Sequence, residues 1–370
     1  MRILVTDGHY KHALGIVRSL GREHEVFVVA PRRLAMAGVS RFAHRLLVAP
    51  SPSEPAEFVA WLDRAMRRHR FDQVIPVGAA ACEALSHHRD RWEPSCRIVL
   101  PAPEQMARAL DKRTSAALAT ELGIDVPRSA EPRTLDDLER AGDEVGYPLV
   151  LKAPLEGSAR VAYVDRAEQL RPAVETYQRE ESLMPLLQQR ITGPGFGVFA
   201  TYQQGRCVRV MAHRRIREFP PTGGESTCCE VVHDPQLFGI GRRLLDALDW
   251  HGVAMVELKR SEADGRYYLM EINPKFWGSL DLALAAGADF PGDLVRIAAG
   301  EELGEQGSPS GPLRFCWPLS NDMRHLVARP GSWRAVLGDW FGGARTNIRP
   351  SDPLPHLVEL AGTLGRMVRA

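Results

Sequence analysis

The chain has 370 residues, too many for one ordinary hydrophobic core, and its 44% hydrophobic and 25% charged residues rule out bulk disorder. Lysine and arginine number 47 against 46 aspartates and glutamates, so the net charge of +1 offers no large field to hold nucleic acid or an anionic membrane. No run approaches the ~18 apolar residues of a membrane span, and Met1-Arg2 leads straight into Ile3-Leu4-Val5 rather than into a secretion signal. A cytoplasmic protein without a nucleic-acid or membrane partner is expected. Six cysteines are scattered without a C-x-x-C pair, which predicts reduced thiols, no zinc cluster, and a structural strand position for the adjacent Cys228-Cys229.

In chain order, Ile3–Val5, Val26–Val29, Leu46–Val48, Val74–Val77 and Ile98–Leu100 read as short strands, each followed by a helical pattern. That alternation predicts a parallel α/β sheet. After the first strand comes Thr6-Asp7-Gly8 and a helix through Ala13–Val17, without the G-x-G-x-x-G of a dinucleotide site, so this region reads as a sheet that shapes a substrate cleft. Pro101 and Pro103 then precede a predicted helix from about Glu104 to Leu122. A second α/β segment runs from Val126 through Tyr147–Lys152 to a strand pair around Gly197–Tyr202 and Cys207–Ala212. The stretch from about 228 to 303 carries a helix (Gln236–Leu248), two strands joined by a turn, and a helix (Gly292–Ala299). Beyond Gly304 the chain is rich in Gly, Ser and Pro, then amphipathic, and reads as a covering element with Trp317, Trp333 and Trp340.

The two strands of the third segment concentrate the chemistry. Val253–Lys259 and Arg266–Asn273 are separated by polar residues ending in Asp264-Gly265, the pattern of an antiparallel hairpin. A three-residue loop Ala263-Asp264-Gly265, with Gly265 left-handed, pairs Glu262 with Arg266 and sets Glu257 opposite Glu271. Two facing carboxylates repel unless a cation lies between them or a proton is shared. Asn273, two residues past Glu271, adds a third oxygen donor on the same face. Oxygen donors without His or Cys suit a hard ion such as Mg²⁺, which prefers one or two carboxylates plus substrate phosphates, and that implies ATP.

Four motifs in order resemble the ATP-grasp superfamily. They are Leu110-Asp111-Lys112 opening a helix; Tyr147–Lys152, a strand ending in lysine; Leu187–Gly193, similar to the hinge beside the adenine; and Glu257 with Met270-Glu271-Ile272-Asn273-Pro274, similar to the metal-binding hairpin. The resemblance implies an α/β and α+β chain: a Rossmann-like parallel-sheet domain over 1–103, an ATP-grasp domain over 104–303, and a C-terminal extension over 304–370. Within the grasp domain it implies a nucleotide-binding part at about 126–212 and a metal-binding part at about 213–303.

By the same resemblance, Lys112 and Lys152 reach nucleotide phosphates and Gly157 and Ser158 cover them. Gln188, Gln189 and Ile191 line the adenine edge through their backbone, and Glu257, Glu271 and Asn273 hold Mg²⁺, with Mn²⁺ as an alternative. Arg214, Arg217 and Lys275 stand near the terminal phosphate and the acyl site. Two departures stand out: the loop at 156–160 is poor in glycine, and Gln188-Gln189 replace the acidic residue common at the hinge, leaving the ribose contacts unassigned. The implied reaction joins a small-molecule carboxylic acid to an amine, amino acids among the candidates, with release of ADP and phosphate. A kinase, a carboxylase and a non-catalytic nucleotide-binding protein are the alternatives, and a homodimer is compatible with the family.

Overall fold

The computed structural model describes residues 1–93, 95–155, 161–309 and 311–369. The chain forms two compact units. The first contains Met1–Met106, Gly197–Met255 and the chain from Pro274 onward, and the second contains Ala107–Phe196 and Val256–Asn273.

In the first unit, a sheet runs in the order Arg45–Val48, Glu25–Ala30, Arg2–Val5, Gln73–Ile75, Arg97–Ile98, with every pairing parallel. Parallel neighbours need crossover connections, and the helices Lys11–Leu20, Pro55–His69 and Ala79–His88 lie in those connections. Covered strands read as continuous apolar runs, and Ile3, Leu4 and Val5 are all fully buried. The five strands expected from the sequence are therefore present within two residues of their predicted ends.

The same unit holds Arg206–Phe219 antiparallel to Glu225–Val232, with Arg214 opposite Glu230 and Arg217 opposite Cys228. Arg314–Cys316 then pairs with Glu225–Val232, and Arg345–Thr346 pairs in parallel with Arg314–Cys316. The tail thus supplies strands as well as cover. Trp317 is fully buried and donates from Nε1 to Asp281 at 3.0 Å, and the buried Arg18 binds Asp352 at 2.9 Å and the Asn347 carbonyl at 2.8 Å. These buried charges are paired, as a low-polarity interior requires.

In the second unit, an antiparallel sheet runs Ser129–Ala130, Leu186–Gln189, Leu149–Lys152, Val161–Val164. Leu149, Leu151 and Leu187 pack with Leu138, Val145, Leu170, Val174 and Tyr177, residues of the helices Leu138–Val145 and Leu170–Glu181. Side chains alternate along a strand, so Val150, Lys152 and Gln188 project from the sheet's other face. The predicted helix from Glu104 to Leu122 is broken at Asp111, between Pro103–Leu110 and Lys112–Glu121. Asp111 is extended, bridges Leu155, and accepts the Arg113 amide at 2.8 Å, so this residue caps the second helix instead of continuing the first. Among the described residues no helix is long and apolar enough to cross a membrane.

Candidate functional site

The break at Asp111 positions the first cation. Lys112 opens its helix, its amide donates to the Pro154 carbonyl at 3.1 Å, and the helix packs along strand Tyr267–Asn273. Its ammonium lies 3.4 Å from Oε2 of Glu271, with both side chains mostly shielded from water. The other oxygen of Glu271 accepts from the Asn273 amide at 3.0 Å. Burial pushes the Glu271 carboxyl up, yet Lys112, Lys152 and Asn273 outweigh it and hold its pKa below the ordinary value.

Lys152 ends its strand on the face opposite the helices. There its ammonium donates to Oε1 of Gln188 at 3.0 Å, and Nε2 of Gln188 donates to Ser129 at 3.3 Å. Burial draws the Lys152 pKa down, while Glu271 and then Glu257 raise it, against Lys112 and Lys259. Three ammonium groups and two carboxylates therefore act on one small volume, leaving one positive charge over. Such a volume attracts a polyanion, and the donor set of two carboxylates and a carboxamide fits a hard divalent ion rather than a thiophilic one.

The hairpin reaches this arrangement by a route other than the predicted one. Ser261 donates to the Arg266 carbonyl at 2.9 Å, and Gly265 donates back to the Ser261 carbonyl at 2.9 Å, so the loop is the four residues Glu262–Gly265 and Glu262 does not pair with Arg266. Gly265 is left-handed, with φ +71°, as expected. One extra loop residue shifts the register by one, which by itself would send Glu271 to the wrong face. The burial alternation along Tyr267–Asn273 slips by one residue between Met270 and Glu271, where consecutive side chains are both half-buried. Both Glu257 and Glu271 nevertheless lie close enough to Lys152 for their charges to act on it.

The hinge differs from expectation in detail. Gln188 is opposite both Ser129 and Val150 in the sheet, and the Gln189 amide donates to the Arg128 carbonyl at 2.8 Å. The ladder thus uses this backbone, and Gln188 contributes instead by orienting Lys152 with its side chain. The carbonyl of Ile191 accepts from Nζ of Lys259 at 3.3 Å. Sequence reasoning missed Lys259, although its place two residues after Glu257 on one strand was a legible signal for a shared face. Gly157 and Ser158 lie outside the described residues.

Arg214, Arg217 and Lys275 belong to the first unit and have separate surroundings. Arg214 is exposed and pairs with Glu230 at 2.5 Å. Register shifts on both sides of Arg217 turn it inward. Its guanidinium is buried against Asp322 at 3.1 and 3.2 Å and also pairs with Asp339. With these partners Arg217 ties its strand to the C-terminal segment, a correction to its expected place beside a reacting acyl group. Lys275 is half-buried and close enough to His12 and Cys82 for its charge to act on both.

The fold also gathers a group the sequence did not suggest, because Cys228, Cys316 and Asp339 place potential metal-ligand atoms within 4.8 Å of one another. The two sulfurs lie 3.1 Å apart on directly paired strands. Arg217 contacts Asp339 and the Cys316 sulfur, the latter at 3.7 Å, and the neighbouring Cys316 thiol, followed by burial, pushes Cys228 far up. A fixed cation already neutralises this cluster, so it reads as an ion-pair network beside two thiols.

Comparison with known proteins agrees with this geometry. The family model described as "ATP-grasp in the biosynthetic pathway with Ter operon" matches residues 182–317. D-alanine–D-alanine ligase B of Pseudomonas putida is 28% identical over 218 residues, covering 52% of this chain and 64% of that enzyme. The D-alanine–D-alanine ligase of Ectopseudomonas mendocina is 36% identical over 210 residues, covering 52% and 66%. The chain therefore spans less than two thirds of the length of these curated relatives. Among solved structures, biotin carboxylase from Campylobacter jejuni superposes with a TM-score of 0.70 at 16% identity, covering 82% of this chain and 72% of its own. L-amino acid ligase from Bacillus licheniformis gives 0.65 at 18% identity, covering 82% and 75%. Family match, curated relatives and fold converge on one conclusion: the chain belongs to the ATP-grasp superfamily.

Proposed function

We propose that this protein is an ATP-dependent ligase that activates a small-molecule carboxylate and joins it to an amine, releasing ADP and phosphate. The observation that carries the reading is the convergence of Lys112, Lys152 and Lys259 with Glu257, Glu271 and Asn273 in the second unit. ATP is a substrate here. Lys112 and Lys152 meet its phosphate oxygens, Glu257, Glu271 and Asn273 take the divalent ion, and the chain at Ile191, braced by Lys259, meets the adenine edge. The ion, Mg²⁺ or Mn²⁺, supplies charge neutralisation along the polyphosphate.

The chemical demand on the protein is electrostatic. A carboxylate and a terminal phosphate repel, and phosphoryl transfer to the carboxylate requires both to be held in line while that repulsion is offset. The lysines supply fixed positive charge, and Gln188 keeps Lys152 aimed. An amine then attacks the activated carbonyl carbon, phosphate leaves, and the nitrogen loses its proton. The resulting oxyanion calls for a fixed positive charge. The names of the relatives favour amino acids as substrates.

A screen of acid and amine pairs for phosphate release, with mass spectrometry of the product, tests the reading. Phosphate release requiring both an acid and an amine, with a mass matching their condensation product, supports ligation. ADP formation with a phosphorylated product and no free phosphate, or phosphate release that requires bicarbonate and gives a carboxylated product, would replace it. ATP binding without turnover over the whole panel would point to a sensor.

A further inference from the structure

We infer that the first unit carries a recognition site for the ammonium group of a zwitterionic α-amino acid, centred on Glu225 and flanked by His12 and Lys275. The inference deepens the proposed ligase by naming a substrate subsite, and in that sense rests on it.

Glu225 opens the strand Glu225–Val232, and its Oε2 accepts from the Asn321 amide at 3.1 Å and lies 3.4 Å from Nζ of Lys11. Lys11 is itself fixed, against the Ser226 carbonyl at 3.5 Å and over the Trp317 ring at 4.7 Å. The two partners differ sharply in access, with the Lys11 side chain 9% exposed and that of Glu225 69% exposed. A shielded cation thus holds an accessible carboxylate in one orientation. Oε1 of Glu225 has no partner among the described residues. A pre-oriented anionic acceptor with a free oxygen has the form of a ligand contact rather than of a surface salt bridge.

The surroundings point to a ligand carrying both charges. Glu225 and Lys275 act on His12 with opposite sign. The His12 ring stacks on Tyr10 with centroids 5.1 Å apart, and its Nδ1 is buried with no hydrogen-bond partner. Burial draws His12 down to about 3 and Lys11 draws Glu225 down to about 2, so near neutral pH the ring is uncharged and the carboxylate ionised. At Gly278 a Cβ would stand 3.1 Å from Cε of Lys11 and 3.9 Å from Oε2 of Glu225, so this glycine packs beside the pair. An ammonium group satisfies Oε1 of Glu225. A phosphorylated ligand would be repelled by Glu225, and a divalent cation would find one carboxylate beside Lys11.

The test is equilibrium dialysis of the full chain, without nucleotide, against labelled L-amino acids and D-alanine, each binder then being compared with its deamino acid, such as propionate for alanine. The expected result is that at least one amino acid binds and loss of its amino group weakens binding about 10- to 100-fold, the scale of a hydrogen bond to a charged group. Glu225→Gln should weaken the amino acid by a similar factor and leave the deamino acid unaffected. Equal binding of amino acid and deamino acid to the wild-type chain, which involves no variant, would overturn the inference. So would unchanged affinity in Glu225→Gln, or no binding by any amino acid at millimolar concentration. Mg²⁺-dependent ATP binding by the wild-type chain, measured separately, tests the nucleotide reading. Amino-acid binding without ATP binding would retain this site and refute the ligase.

Discussion

Replacing Glu271 by glutamine keeps the shape of the side chain and removes one charge from the lysine and carboxylate cluster. At 3.4 Å the attraction between Lys112 and Glu271 is about 5 kcal/mol for an effective dielectric constant of ~20. Desolvation of both groups cancels much of that, so the net loss should resemble that of a charged hydrogen bond, about 1.5–3 kcal/mol. The free protein should therefore melt lower by a few degrees, at roughly 2–4 °C per kcal/mol. The response to ligand is the sharper measurement. At a hundredfold excess over Kd, a ligand confined to the native state contributes ~2.7 kcal/mol of stability. The wild-type chain should show a large thermal shift with ATP and Mg²⁺ and a small one with ATP and a chelator. Glu271→Gln should lose most of the Mg²⁺-dependent increment while keeping a Mg²⁺-independent response, because Lys112 and Lys152 remain. Differential scanning fluorimetry with and without chelator reads both. A wild-type-sized Mg²⁺ increment in Glu271→Gln would refute the metal assignment.

Lys152→Ala should weaken ATP binding at least tenfold in calorimetric titration, since it removes a half-buried cation and leaves Gln188 without its partner; unchanged affinity would make Lys152 structural. Arg217→Met should destabilise the fold by about 3–5 kcal/mol in urea denaturation, because it strands the buried Asp322; a loss of turnover without a shift in the urea midpoint would return Arg217 to the chemistry. His12 has a folded pKa of about 3 against an ordinary 6.5, so the unfolded chain binds the extra proton first on acidification. Its contribution to stability is complete above pH 6.5 and falls as the pH drops toward 3. His12→Gln should flatten that limb of the urea-midpoint profile, and a profile identical to wild type would contradict the buried neutral ring.

Much of the site was readable because its chemistry is tied to local pattern. Lysine at the end of the apolar run Leu149–Leu151, and Glu271 and Asn273 two residues apart on a strand, declare a shared face through the two-residue period. Lys259, two residues after Glu257, follows the same period. Arg217 was not readable, because two irregular pairings re-aim it and its partners Asp322 and Asp339 lie more than a hundred residues away. The two strands of the hairpin and the left-handed Gly265 were legible, while the loop between them is one residue longer than the pattern predicts.

The sequence by itself determined the parallel sheet, its helical crossovers and the lysine, carboxylate and amide donors, since hydrophobic period and residue type act over a few neighbouring positions. Only the tertiary structure decided that Asp111 ends one helix and caps the next, that the tail supplies strands beside Glu225–Val232, and that Lys11, Glu225, Lys275 and Asn321 share one unit. Those outcomes depend on contacts between segments far apart in the chain. Their closure entropy is met by burial and charge pairing of the whole fold, and no local pattern records it.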